Sequence, residues 1–453
     1  MASPENAGIL MKIVARHIFD HALRESSVGS AFAEHVSCER GVVRICEDLY
    51  DLDSYSRVFV LSLGKAAHSM LAALQEQTGE RFEGIVASPV APEFQVRGFR
   101  YFQGGHPLPS ADSIRAAEAM LKSASALNES SLAIFLISGG GSACAEKPID
   151  DEISLADLIA AYRALVLGGA PIGAINAIRK HLSGIKGGRL AQAAYPAQQV
   201  SILVSDVPEN TPDALASGPT IPDRTTVEDC YELAGKYQLI PPLERREQRD
   251  NRDSVGFPRN VAQLFERRAL EETPKPDDPV FLHSRWWTVL SNSRMLKAAK
   301  AEAERQGFQV EIDNRCDDWE YARAADYLLG RLRELRKTGE RICLLSGGEV
   351  TVQVENGGIG GRNQQFALYC GQKIAGEAIS VLSAGSDGID GNSSAAGAIV
   401  DGTSAERAKA RGLDPESYLR GFNANPLFEA LGDAIRTGPT GNNLRDLRVL
   451  LAH

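Results

Sequence analysis

Five apolar runs in this chain stop at residues that can do chemistry. "RVFVLSLG" (57–64) is followed by Lys65, "LAIFLISG" (132–139) opens into Gly139, Gly140, Gly141 and Ser142, and "VSILVSDV" (200–207) carries Asp206. "RICLLSGG" (341–348) leads to Glu349, and "AISVLSAG" (378–385) leads to Asp387 and Asp390. A lysine in such a place is a compact positive charge for a phosphate or carboxylate. Consecutive glycines are costly to order, but their bare backbone amides can converge on an anion. A carboxylate at a strand end can bind Mg²⁺ or serve as a base. Each feature also has a plain structural reading: a tight turn, a surface lysine, a turn cap. Five together favour a site.

Three further stretches add to the inventory. "GGRNQQFAL" starts a helix at Arg362 and Asn363 just after two glycines, and a guanidinium there can clamp phosphate oxygens bidentately. "NAIRKHLSGIKGGRLA" (176–191) packs Arg179, Lys180, Lys186 and Arg189 around a glycine pair, which reads equally as anion recognition or as a solvated basic helix face. "TGPTGNN" supplies Thr440, Gly441, Asn442 and Asn443. Cations, strand-end carboxylates and glycine-lined turns suit phosphoryl transfer, which needs positioning and charge neutralisation more than covalent chemistry.

Familiar nucleotide motifs do not account for these residues. No G-x-x-x-x-G-K-[ST] occurs, and Ala66 stands where Ser or Thr would hold magnesium after Gly64-Lys65. The triplet gives Gly139-x-Gly141-x-x-Cys144, which lacks the third glycine of a dinucleotide fingerprint. There is no G-x-S-x-G elbow and no protein-kinase signature set.

The elements that must hold these residues are legible from pattern. The five runs are nearly continuous in apolar residues, as strands covered on both faces are. Helix-forming segments such as 65–77 and 112–127 follow them, giving the β–α alternation of an α/β protein with a mainly parallel sheet. Residues 82–89 and 308–314 are weaker strand candidates, and "VTVQVE" (350–355) alternates as a hairpin strand does. In open α/β sheets, ligands bind outside the carboxyl ends of the strands. Between 223 and 280 the chain turns charged and proline-bearing, as a connector with short helices does.

A length of 453 residues implies two or three domains at roughly 100–200 residues each. The net charge of −10 argues against an extended nucleic-acid surface, whose footprint is basic. Seven cysteines, an odd number without a CxxC pair, argue against a disulfide framework or structural zinc and for a reducing compartment. The first residues read as an amphipathic helix without the features of a secretory signal, and no stretch is long enough to span a membrane. A cytoplasmic protein with neither nucleic-acid nor membrane partners is the expectation.

Nine motifs in order, "SLGKAA", "GGHPLPS", "LISGGGSA", "NAIRKHLSGIKGGRLA", "SDVPENTPDALASGPT", "SGGEVTV", "GGRNQQFAL", "SAGSDGIDG" and "GPTGNN", resemble those of the type-2 glycerate kinases, also called the MOFRL family. The resemblance runs over essentially the whole chain and is weakest across 223–280. It implies ATP- and Mg²⁺-dependent phosphorylation of D-glycerate, at the 2-hydroxyl in this class, giving 2-phosphoglycerate and ADP. The implied fold is α/β in two domains: a Rossmann-like, mainly parallel N-terminal domain over 1–240, a charged connector over 241–280, and a smaller C-terminal α/β domain over 281–453. The active site is expected in the cleft between them. By this resemblance Lys65, Asp206 and Arg362 are catalytic. Gly139, Gly140, Gly141, Ser142, Arg179, Lys186, Glu349, Asn363, Asp387 and Asn443 contact substrate or nucleotide, and Asp206 and Glu349 are candidates for Mg²⁺. Cys144 and Lys147 depart from the apolar residues usual there, and "LRDLRVLL" is more basic than usual. A homodimer, phosphorylation at the 3-hydroxyl, an NAD(P)H-dependent hydroxypyruvate reductase and a non-catalytic sensor stay open at this point.

Overall fold

The computed structural model describes residues 4–240, 256–354 and 357–452. The chain divides into two compact units, one of Phe32–Val289 and one that joins Met1–Ala31 to Leu290–His453. The first helix, Pro4–Glu25, thus belongs with the C-terminal half. The expected bounds fall at 240 and 281, whereas the two compact units divide after Ala31 and after Val289.

The Phe32–Val289 unit is built on a six-stranded sheet. Its strands are β1 (Arg57–Leu63), β2 (Glu83–Ser88), β3 (Phe99–Gln103), β4 (Ser131–Ser138), β5 (Gln198–Val204) and β6 (Ser284–Leu290), in the spatial order β3-β2-β1-β4-β5-β6. The pairs β1/β2, β2/β3, β1/β4 and β4/β5 are all parallel. β4 is buried at every position, which is why it reads as an unbroken apolar run. Order reverses between β1 and β4, and that switch point is where an open α/β sheet binds its ligands. Lys65 follows β1 and Gly139 follows β4, so the two stretches flank the switch.

The helix after β1 spans Ala67–Thr78. It begins two residues later than its pattern suggests, leaving Lys65 in the turn and not on the helix. A second, helical core in this unit joins Leu158 and Leu165 to Cys230, Phe257, Val261 and Phe265. Residues 256–280, expected as connector, therefore contribute to the core through the helix Arg259–Glu266. The charged stretch 241–255 lies outside the described residues.

The second unit carries a mixed sheet of β7 (Gln309–Ile312), β8 (Ile342–Ser346), β9 (Ile379–Gly385), β10 (Gly397–Asp401), β11 (Ala434–Ile435) and β12 (Asp446–Ala452), in the order β7-β8-β12-β9-β10-β11. β12 runs antiparallel to both β8 and β9. Its first residues therefore lie beside the carboxyl ends of those two strands. Asp446 is in register with Gly385, and Arg448 pairs with Ser346 on one side and Ser383 on the other. The segment 350–354 does not form the expected hairpin strand; Thr351 makes only an isolated bridge to Glu320. Glu355 lies outside the described residues.

Helix Pro4–Glu25 buries Ile18, Phe19 and Ala22 and packs against β9 and the helix Asn292–Arg305. Lys12 Nζ reaches Asp433 at 2.7 Å and Asp401 at 3.6 Å. All seven cysteines are unpaired. Among the described residues no helix is long and apolar enough to cross a membrane.

Candidate active site

At the carboxyl ends of β1, β4 and β5 the backbone is threaded tightly. Gly64 has φ +118°, and a β-carbon there would stand 2.4 Å from the Ser138 carbonyl. Lys65 N–H donates to the Gly139 carbonyl at 2.9 Å, and Ala66 N–H donates to Ser138 Oγ at 3.0 Å. The two turns at the switch point are thereby stitched together.

The glycine triplet accommodates this chain's own side chains. A β-carbon on Gly139 would lie 1.8 Å from Asp206 Oδ2, and one on Gly140 would lie 2.9 Å from Lys65 Cγ. A β-carbon on Gly141 would meet Ala216 Cβ at 2.8 Å. The bareness of the loop lets a carboxylate and a lysine stem rest on its backbone at neighbouring positions. Gly140 is left-handed at φ +79° and caps the short helix Gly141–Cys144. Ser142 Oγ lies 3.0 Å from Ser217 Oγ.

Ser217 sits in an unusual turn. Ala216, Ser217 and Gly218 have φ of +50°, +59° and +61°, three left-handed residues in a row. Non-glycine residues in that region cost about 1–3 kcal/mol each and persist where the surroundings over-determine them. Here Gly187 N–H bonds the Ser217 carbonyl at 3.0 Å and Gly188 N–H bonds the Gly218 carbonyl at 2.7 Å. His106 also belongs to this neighbourhood: burial, and then the charge of Lys65, lower its pKa. Burial pushes the Cys144 thiol up to about 12, with Lys65 acting in the opposite direction.

Much of the basic stretch 176–191 is turned inward. Lys186 is 1 % exposed and pairs with Glu146. Glu146 also accepts from Tyr162 OH at 2.7 Å and from Ser183 Oγ at 2.5 Å. Arg179 lies over the Tyr162 ring at 4.8 Å. Lys180 pairs with Asp213 at 2.6 Å and Asp223 at 3.1 Å. Gly187 and Gly188, both at positive φ, make the turn that directs Lys186 and Arg189 inside.

In the other unit, Arg362 opens the helix Arg362–Lys373. Its Nε donates to Asp446 Oδ2 at 2.7 Å, and its Nη2 donates to Asp446 Oδ1 at 3.0 Å and to Glu349 Oε1 at 2.7 Å. Asp446 is fully buried. Burial opposes its charge, but Arg362 and then Arg448 outweigh it and hold the carboxyl below its ordinary value. Arg448, also fully buried, donates to the carbonyls of Gly347 at 2.9 Å and Gly348 at 3.3 Å.

The "SGGE" turn has its amides occupied. Asn314, Asn292 and Asp317 accept from Gly347, Gly348 and Glu349 N–H at 2.8, 3.3 and 3.0 Å. Arg445 in turn forks onto Asp317 with two contacts of 2.6 Å. Asn363 is 1 % exposed. Its N–H donates to Asp390 Oδ1 at 3.0 Å and its Oδ1 accepts from Ser383 at 2.6 Å. Asp387 accepts from Ile389 N–H at 3.1 Å and Asn443 accepts from Arg445 N–H at 3.2 Å. Glu349 and Arg362 face a groove of about 540 Å³ lined also by Thr351, Gly361 and Gln365.

Lys65, Gly139–Ser142 and Asp206 thus form one group, and Glu349, Arg362, Asn363 and Asp387 cluster in the other unit with Asn443. Asp446, Arg448, Asp317 and His106 were not singled out from sequence. Asp446 and Arg448 stand two apart before "VLLA", the spacing that puts both side chains on one face of a strand.

Two family models match the chain. One, described as a domain of unknown function (DUF4147), covers residues 14–248, and the other, the MOFRL family, covers residues 342–446. The chain is 35 % identical over 399 residues to D-glycerate 2-kinase of Thermotoga maritima, covering 86 % of this chain and 89 % of that protein. It is 34 % identical over 403 residues to an Agrobacterium vitis protein named provisionally as a hydroxypyruvate reductase, covering 87 % and 99 %. A crystal structure of glycerate kinase from Thermotoga maritima superposes with a TM-score of 0.82 at 31 % identity, covering 98 % of this chain and 99 % of that one. With both halves matched and the fold shared along nearly its whole length, the chain belongs to the MOFRL-type glycerate kinase family.

Proposed function

We propose that this protein transfers the γ-phosphoryl group of ATP to the 2-hydroxyl of D-glycerate, giving 2-phosphoglycerate and ADP. The observation that carries the reading is the pairing at the switch point, where the Lys65 stem and the Asp206 carboxylate rest on adjacent glycines of one loop. Lys65 supplies positive charge toward anionic oxygens. Arg362 supplies a guanidinium of fixed orientation for charge on the transferred group. Ser142 and the glycine loop line the anion's approach. Asp387, Asn363 and Asn443 shape the turns of the second unit.

The donor set suits Mg²⁺ as kinases use it. That ion keeps several waters and takes one or two carboxylates plus substrate phosphates, and a half-buried strand-end Asp206 is a donor of that kind. Glu349, which also gives an oxygen to Arg362, is the second candidate. Bound at these carboxylates, the ion would neutralise phosphate charge. The reading includes a cytoplasmic location, in keeping with seven unpaired cysteines.

Phosphorus NMR of a reaction with D-glycerate, ATP and Mg²⁺ tests the proposal, since the 2- and 3-phosphate esters give separate signals. A new 2-phosphate ester with matching ADP is expected. Absence of any ester rejects the kinase reading. NADH oxidation by hydroxypyruvate without ATP would favour the reductase reading, which two Agrobacterium vitis relatives carry in their names.

A further inference from the structure

Arg362 is held more firmly than an arginine on a helix's first turn needs to be. Three hydrogen bonds from Nε and Nη2 go to two carboxylates. Nη1 donates to no side chain or carbonyl among the described residues, and the residue lines the groove beside Glu349. The two carboxylates are not equivalent. Glu349 is 34 % exposed, whereas Asp446 is 0 % exposed.

Asp446 also has its own scaffold. It begins the central strand β12, in backbone register with Gly385 of β9. Arg448, on the same face of that strand, lies 3.3 Å from Asp446 Oδ2 and ties itself to the carbonyls of Gly347 and Gly348. A chain of contacts therefore runs from the turn after β8, through Arg448 and Asp446, to the guanidinium. A free arginine side chain has rotamer entropy to lose. Anchoring one edge of the fork in advance removes most of that cost when an anion arrives, and fixes the direction of the remaining nitrogen.

We propose that Asp446 is the positioning residue of Arg362: it grips the Nε–Nη2 edge of the guanidinium so that Nη1 is the nitrogen presented to the transferred phosphoryl group. The inference rests on the kinase reading above and on Arg362 acting in it. Glu349, on the exposed side, adds a second tether to Nη2 without setting the plane of the fork.

The experiment is a double-mutant cycle on kcat and KM with glycerate, ATP and Mg²⁺, using Asp446→Glu, Arg362→Ala and the double variant. Asp446→Glu keeps the charge that Arg448 needs but moves the fork by one methylene. It should lower kcat at least about tenfold with KM for glycerate changed less than about threefold. In the Arg362→Ala background the same change should cost less than about twofold, because its target is gone. Multiplying effects would overturn the proposal. Since Asp446 variants can lose the fold, Arg362→Lys provides an arm that leaves Asp446 intact. Lysine keeps the charge but cannot fork, so kcat should fall by about 100-fold or more; retention of a third of the wild-type rate would overturn the proposal as well. Failure of the kinase reading is seen separately, as a wild-type protein that forms no phosphate ester.

Discussion

The carboxylate of Asp206 lies against the α-carbon of Gly139, so close that a β-carbon there would stand 1.8 Å from Oδ2. Gly139→Ala must therefore displace the carboxylate or the loop. A shift of about 1 Å at a reacting group costs about 100-fold in rate, and a fall of that order in kcat is expected. Gly330→Ala is the matched control. It sits in the helix Tyr321–Arg336 with open space at its β-position. That variant should keep full activity and gain up to about 1 kcal/mol in urea unfolding.

Removing either cation should act on the chemical step. Lys65→Ala and Arg362→Ala are each expected to lower kcat by about 100- to 1,000-fold, the usual cost of losing one preorganised donor. Circular dichroism checks the fold of each: Lys65 is half-buried in a turn, and when Arg362 is removed from the start of its helix Arg448 remains beside the buried Asp446. Near-normal kcat in both variants would end their assignment.

Lys186 predicts a different phenotype. Its partner Glu146 is fully buried and is also bonded by Tyr162 and Ser183. Lys186→Met leaves that carboxylate without its cation, and breaking one side of a buried pair costs about 3–5 kcal/mol. Thermal melts should show the loss, while the fraction that stays folded keeps its KM for ATP. A raised KM at unchanged stability would instead return Lys186 to the nucleotide.

Asp390 makes a prediction about pH. Burial pushes its carboxyl up to about 6, against the Asn363 and Gln364 amides that favour its charge. The folded value lies above the unfolded one, about 3.9, so the folded state binds the proton more tightly. Its contribution to stability is full below about pH 4 and is lost as pH rises through about 6. Urea unfolding of Asp390→Asn against wild type, from pH 4 to 7, should give a curve without that decline. Parallel curves would refute the assignment. Glu302 carries the opposite sign: bonds from Arg305 lead in holding it down at about 2. Its contribution is present above about pH 4.3 and fades as pH falls toward 2.

How much of this could be read from letters depended on where charges are buried. β1, β4, β5, β8 and β9 are nearly continuous in apolar residues and almost wholly buried, and such strands announce themselves. β6 escaped because Arg285, Trp286 and Thr288 are exposed at a sheet edge. β12 escaped for the opposite reason. It is wholly buried, yet "RDLRVLL" carries two charges inside that cancel each other, and a buried ion pair looks on paper like a solvated surface. The same blindness hid Asp446 as the partner of Arg362. Lys186 shows another limit, since a cluster of basic letters does not reveal that one of its lysines pairs with the buried Glu146.

The packing of the first helix has a consequence for how the protein is made. Lys12 bonds Asp433 across 421 positions of sequence. At roughly 5–20 residues per second on the ribosome, that partner emerges roughly 20–80 s after the helix does. Ile18, Phe19 and Ala22, fully covered in the finished molecule, wait for the helix Asn292–Arg305 and for β9 until the whole Phe32–Val289 unit has been made. A helix made before the Phe32–Val289 unit closes only with the segment made after that unit.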